Sequence, residues 1–450
     1  MNPPPTNGSS SWLTHTGKPR PRRIGSYVAA GLAGLVLFPT LALITPGMAD
    51  WLRDTQSPEP TASNSTIPNS PSPTPEPTPT VLEPISFYIA AVGDTLLHNP
   101  VHASAKVSGG YEFSPLLENI SALVDSAGLA LCHMEVPLVA QGERISGYPM
   151  FGGSAQIAQD YKEQGWDGCS TASNHSVDRG FSGIKSTLDA LDAAGLGHAG
   201  TARTENEANE PSTYKVTVDG FETTIAHISA TRNLNGLPLP ADAPWSVNLI
   251  DTDAIIAQAK DARAKGADLV LVSIHDGVEY TPVPTNDQVT VAKALAQSAE
   301  VDLFIGHHPH VPQPIEKLDG GPQGTGMWVA YSLGNFLSNQ DRNCCVSQTA
   351  NGLMMFADVV SDRTEKPYIS GVSWRALTVD RLGKHRIYDL SDLAAKGEGA
   401  GKLSAAEVKK RYKQVAEVVG TQAPELKEIE PFTGTVEVLP RTSASNEDID

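Results

Sequence analysis

From Ile85 onward, short apolar runs alternate with longer stretches in which apolar residues recur every three or four positions. That order belongs to parallel strands joined by crossover helices, and it predicts an α/β core. Strands are predicted over residues 86–92, 128–132, 168–172, 268–274 and 301–305, and helices over 114–126, 155–164, 180–194, 252–265 and 286–299. Between Thr213 and Ile228 the pattern alternates on both sides of Asp219-Gly220, which predicts a hairpin turning there. After Gly326 the runs MWVAYSLG, GLMMFADVV and KPYISGVSWRALTV succeed one another without helices, so a mixed or second sheet is expected. Residues 401–419 read as one more helix, and the acidic end NEDID as a disordered tail.

Ahead of this core the pattern is different. Residues 24–45 form an uncharged apolar stretch about long enough to cross a bilayer, preceded by Lys18, Arg20, Arg22 and Arg23. Those charges place residues 1–23 in the cytoplasm and the rest outside it, giving a single-pass cell-membrane protein with an extracytoplasmic domain. A signal peptide cleaved near Gly47-Met48-Ala49 is the competing reading; the length of the stretch favours an uncleaved anchor. Residues 46–84 are dominated by Pro, Ser and Thr, too polar to bury a core, and read as a stalk. The expected order is therefore cytoplasmic segment, anchor, linker, a domain over 85–390, and a C-terminal helix with its tail over 391–450. Composition adds one exclusion: a formal charge of −18 over 450 residues gives no surface for nucleic acid. Of the four cysteines, Cys132 and Cys169 fall in predicted strands, where a buried thiol is the default, and Cys344-Cys345 in a polar loop where a disulfide is possible.

The residues just beyond each strand carry the chemistry. The five runs end in Gly93-Asp94, His133-Met134-Glu135, Asn174-His175, His275-Asp276 and Gly306-His307-His308-Pro309-His310. In open α/β sheets ligands bind beyond the carboxyl ends of the strands. Alone, each residue has an ordinary explanation: Asp94 as a turn or cap, Asn174-His175 as a turn pair, Glu135 as a loop residue, His275 as a core histidine. Three imidazoles within four residues are harder to ascribe to packing, and five coincident strand ends harder still. Mixed oxygen and imidazole donors suit zinc, manganese or iron better than calcium.

The segments AAVGDTLLH, HMEVPL, ASNHSVDRG, SIHDGVEYTP, IGHHPHVPQPIE and YSLGNFLSNQ resemble the CapA-like proteins of poly-γ-glutamate capsule biosynthesis, a branch of the calcineurin-like metallophosphoesterase superfamily. The resemblance implies an α/β fold of two packed sheets flanked by helices, a four-layer αββα sandwich with a dinuclear site. It implies Asp94 and His310 on one divalent transition metal, Asn174, His275 and His308 on the other, and Glu135 bridging. His175 would approach substrate without binding metal, with Asp178 orienting its ring. His98 would supplement the first site, and His307 and Glu279 would hold imidazoles in the right tautomer. Tyr331, Asn335 and Phe336 match a segment near the family's pocket.

Three positions depart from the pattern: Leu96 where the superfamily has a histidine two residues after the aspartate, His133 for an asparagine, and Asp276 for a tryptophan. Weak occupancy of the first metal, or an altered metal preference, is the expected consequence. Two metals about 3.5–4 Å apart activate water and clamp phosphoryl oxygens, so the implied activity is phosphoester hydrolysis on an envelope substrate. The alternative is a non-catalytic assembly or anchoring factor for an anionic surface polymer; a secreted nucleotidase fits the segments less well. Specificity is expected in the loops 140–153, 231–245 and 341–348.

Overall fold

A computed structural model of the chain describes residues 83–441. The predicted anchor, all but the last two residues of the predicted linker, and the NEDID tail lie outside those residues. Among the described residues no helix is long and apolar enough to cross a membrane.

Two sheets dominate. The first has eight strands, ordered Arg386–Asp389, Tyr368–Asp380, Asn351–Ser361, Ile85–Thr95, Ala127–Met134, Gly168–Ser170 and Gly197–Ala199, with Asn335–Leu337 pairing the end of Ile85–Thr95. The second has seven, ordered Ile315–Leu318, Met327–Ala330, Leu303–His307, Leu269–His275, Phe221–Thr231, Ser212–Val218 and Thr435–Leu439. Successive side chains of a strand point to opposite faces, and here both faces are apolar. Ile89, Ala91, Leu129 and Leu131 pack with Leu269, Leu271, Leu303 and Ile305 in the core between the sheets. Their alternates Ala90, Val92, Ala130 and Cys132 pack with Leu117, Ile157 and Tyr161 of the helices outside the first sheet. Val270, Val272 and Phe304 meet Ile255, Ala259, Val291 and Leu295 from the helices Thr252–Ala264 and Asn286–Ser298 outside the second. The layers are therefore helix, sheet, sheet, helix.

The hairpin turns at Asp219-Gly220, both at positive φ (48° and 76°), the geometry a two-residue turn requires. Three expectations need correction. The helix over 114–126 is broken into Ser114–Leu117, a tighter turn Glu118–Ile120 and Ser121–Asp125, and the Asn119 side chain within the break donates to the Ile387 carbonyl. Cys132 and Cys169 are partners in register on adjacent parallel strands, Cα atoms 4.4 Å apart, and form a disulfide instead of two thiols. Thr435–Leu439 is an edge strand beside Ser212–Val218, beyond the C-terminal helix Ala405–Val419. The Arg441 side chain after it donates to the carbonyls of His198, Thr201 and Glu210, which ties this end of the chain to the edge of the first sheet.

Parallel pairing brings the strand ends level. Asp94 stands opposite His133, and His133 opposite Ser170. In the second sheet His275 stands opposite His307.

Candidate metal centre

The Gly93-Asp94 end is held by backbone contact. The Asp94 N–H donates to the Gly334 carbonyl at 2.8 Å. A Cβ on Gly93 would lie 1.8 Å from that same oxygen, so only glycine fits. Asn335 comes next, in register with Asp94, its amide donating to Gln340 and to the Thr349 carbonyl. The segment after Leu303–His307 is strained: His308 and His310 take φ of 98° and 58°. Each such residue costs on the order of 1–3 kcal/mol and survives only where its surroundings over-determine it. Part of that hold is the Tyr280 N–H, itself on a residue with φ 64°, donating to the Pro309 carbonyl at 2.7 Å.

The result is two adjoining sets of donors. Around Asp94, Oδ2 lies 2.9 Å from His310 Nδ1, and His310 Nε2 lies 3.8 Å from Glu135 Oε1. Around His275, Nε2 lies 2.9 Å from Asn174 Oδ1, 3.1 Å from His308 Nδ1 and 3.9 Å from Glu135 Oε1. Ligand atoms about 2.0–2.2 Å from a common ion stand roughly 3–3.5 Å apart, so these spacings match cation sites with slight opening. Glu135 Oε1 is common to both sets. Three groups of residues, Asp94–Glu135–His310, His133–Glu135–His275 and Asp94–His133–His307, each offer ligand atoms within 4.8 Å of one another.

Burial strengthens the case for a cation. Asp94 and Glu135 are 0% exposed, yet Asp94 Oδ1, both Glu135 oxygens and both ring nitrogens of His307 lack a hydrogen-bond partner. Buried polar atoms are normally paired, and carboxylates above all. Desolvation raises Glu135 well above the usual carboxylate range. The same burial acts on Asp94, but the approach of His307 and His310 outweighs it and holds Asp94 well below that range. Burial lowers His310 too, but its neighbours Glu135 and Asp94 prevail and lift it to about 9. Burial, then neighbouring imidazoles, push His275 and His133 well below 6.5 and His308 to about 4. Those rings are neutral, with lone pairs to offer.

Cation uptake near neutrality must displace the His310 proton. Affinity for the cation at Asp94 is therefore expected to rise with pH up to about 9, by about tenfold per unit for each proton displaced. Calorimetric titrations in buffers of different ionisation enthalpy measure the release; an affinity flat between about pH 6 and 8 would contradict it.

His175 and Asp178 lie beside these sets. His175 Nδ1 is 2.7 Å from Asp178 Oδ2, which also accepts the Phe151 N–H at 2.7 Å, and the Phe151 ring meets His175 edge-on at 4.8 Å. All eight sequence-predicted site residues, Asp94, Glu135, Asn174, His175, Asp178, His275, His308 and His310, thus gather at one end of the two sheets. His98 does not join the donors: its Nδ1 lies 3.1 Å from the Leu96 carbonyl and its ring packs on Phe151. Glu279 is exposed, and its charge reaches Glu135, His308 and His310. Tyr331 donates its hydroxyl to Glu316 and packs in the outer core of the second sheet, and Phe336 packs in that of the first. Two of the three predicted specificity loops reach the centre, through Phe151 on His175 and through Asn235, which accepts from Asn174 Nδ2 at 3.1 Å. The third pairs Asp341 with Arg381 and carries the disulfide between Cys344 and Cys345.

Sequence reasoning missed His133 as a member of the centre. Its Nδ1 meets Ser170 Oγ at 2.8 Å and its Nε2 meets His275 Nδ1 at 2.9 Å, so it joins the first sheet to the second. The available signal was its place at a strand end two residues before Glu135. It also missed Arg232, whose guanidinium pairs with Asp276 through Nε and NH2 at 3.1 and 2.7 Å.

Comparison with known proteins adds relatives. The chain is 30% identical over 238 residues to the capsule biosynthesis protein CapA of Bacillus anthracis, matching 52% of this chain and 50% of that protein. It is 32% identical over 186 residues to the PGA biosynthesis protein CapA of Bacillus subtilis, matching 40% and 44%. The chain thus spans about half the length of the curated relatives it matches. Among solved structures, the NAD nucleotidase NadN of Haemophilus influenzae aligns with a TM-score of 0.41 and 13% identity, over 78% of this chain and 58% of that one. At that score the likeness assigns no residue a role. Residues 88–340, more than half of the chain, match the model of the bacterial capsule synthesis protein PGA_cap, and the chain belongs to that family.

Proposed function

We propose that this chain is a two-metal phosphoesterase of capsule or envelope polymer assembly, anchored in the cell membrane by residues 24–45 with its α/β domain outside the cytoplasm. One observation carries the reading: Glu135, buried and unpartnered, lies between two sets of imidazole and oxygen donors that need a positive charge. Bound divalent cations would activate water and offset the charge of a phosphoryl group. Asp94, Glu135 and His310 would hold one, and Glu135, Asn174, His275 and His308 the other. His175, whose Nδ1 meets Asp178 at 2.7 Å, would give a proton to the leaving oxygen. The relatives' names, with capsule and PGA biosynthesis in them, support a polymer of the poly-γ-glutamate type as the context.

A second reading, a non-catalytic assembly or anchoring factor, is favoured by burial, since none of Asp94, Glu135, His275 and His310 is more than 2% exposed. Elemental analysis and hydrolysis of an aryl phosphodiester by the purified full chain separate the two. Two equivalents of manganese, zinc or iron with metal-dependent turnover are expected. Polymer binding with bound metal and no turnover of any phosphoester would establish the second reading instead.

A further inference from the structure

His307 has no place in the two sets built around Asp94 and His275, although it groups with Asp94 and His133, and like Glu135 it is a buried side chain of the centre with both polar atoms unpartnered. Its ring is 2% exposed, and neither nitrogen has a hydrogen-bond partner. The ring is nonetheless fixed: it stacks on His133 with centroids 3.9 Å apart and planes 15° apart. His133 is pinned in turn by Ser170 and His275. In this fixed position His307 Nδ1 faces Asp94 Oδ1 at 3.5 Å. That is long for a hydrogen bond and close to the spacing of two ligands on one ion. Asp94 Oδ1 is itself unpartnered, while Oδ2 is taken by His310. Two orphaned, buried polar atoms thus face each other, and Asp94, His133 and His307 each offer a ligand atom within 4.8 Å of the others.

Leu96 offers nothing to this sphere. It is buried in the apolar core outside the first sheet, with Leu97 and Phe113. Without another donor the cation at Asp94 has three protein side chains, Asp94, Glu135 and His310, one fewer than its neighbour.

We propose that His307 is the fourth protein ligand of the cation at Asp94, and that the His133 ring serves as its backstop. The proposal rests on the two-metal reading and refines it: the first position is a full site of two carboxylates and two imidazoles. Weak occupancy is then no longer the expected consequence of Leu96.

The test is Zn(II) titration of the full chain by calorimetry, alongside His307→Phe, which keeps an aromatic ring against His133. Wild type is expected to take up two equivalents. His307→Phe should keep one and bind the other at least about 100-fold more weakly, since even groups that only support a ligand are worth about 10–100-fold in affinity. Uptake of both equivalents by His307→Phe with wild-type affinity would overturn the proposal and leave the two-metal reading intact. Wild type that binds one ion or none overturns both. Should His307→Phe not fold, zinc anomalous scattering from crystals of the wild-type chain decides: a peak about 2.0–2.2 Å from a His307 nitrogen is expected, and His307 outside the coordination sphere is the contrary result.

Discussion

Glu135→Gln is expected to stabilise the metal-free chain and to abolish its response to metal. In the metal-free protein Glu135 is fully buried, with neither oxygen hydrogen-bonded. Desolvation raises its folded-state pKa well above the ordinary 4.5. The sign comes from linkage. As pH rises past about 4.5 the unfolded chain ionises this group and the folded chain resists, so stability is lost until the folded pKa is passed. At neutral pH the carboxyl is therefore a burden that a neutral amide of the same shape removes, worth about 1–3 kcal/mol. Divalent cation reverses the order. Each ion that binds only the folded state at about 1,000 times its dissociation constant stabilises by about 4 kcal/mol. An amide oxygen lacks the charge that both cation positions share. Thermal melts with and without Mn(II) or Zn(II) should show the variant melting above wild type when apo and well below it when loaded, with phosphodiesterase activity lost. A variant that gains as much from cation as wild type would remove Glu135 from the shared position and with it the two-metal reading.

The strand ends were legible because each apolar run stops at a residue that cannot continue the core, and parallel pairing brings such stops to one edge. Asp94, Glu135, Asn174, His275, His308 and His310 were readable on that ground. The partnership of His133 and His307 was not. It depends on which strands are neighbours and on their register, Asp94 opposite His133 and His275 opposite His307, and one sequence does not encode that visibly. The edge strand Thr435–Leu439 escaped for a different reason. Its Thr-Val-Glu-Val-Leu run does alternate, with Val436 and Val438 against the core, but it is only five residues long and reads as part of the acidic tail; the pairing with Ser212–Val218 is a backbone matter. The helix over 114–126 was over-read because its apolar spacing is helical throughout, while the backbone tightens over Glu118–Ile120 in the middle of it.

His175→Ala tests whether the centre does chemistry, because it is the one change that should leave both cations in place and still remove turnover. In the ligand sets proposed above His175 holds no cation, so its loss should take away no ligand. Its ring is positioned from two sides, by Asp178 Oδ2 at Nδ1 and by the edge of Phe151, which leaves Nε2 as the nitrogen free to exchange a proton. General acid catalysis from a positioned imidazole contributes about 10²–10⁴-fold, so kcat on an alkyl phosphodiester should fall by that factor with two metal equivalents retained. The loss should shrink for an activated aryl ester, whose leaving oxygen needs no proton. That dependence on the leaving group is what a merely structural histidine would not produce. Asp178→Asn should lower kcat less, since the ring keeps its place against Phe151 and loses only the Asp178 contact at Nδ1. If both esters slow equally in His175→Ala, or neither slows, the imidazole is packing and the leaving oxygen takes its proton from another source.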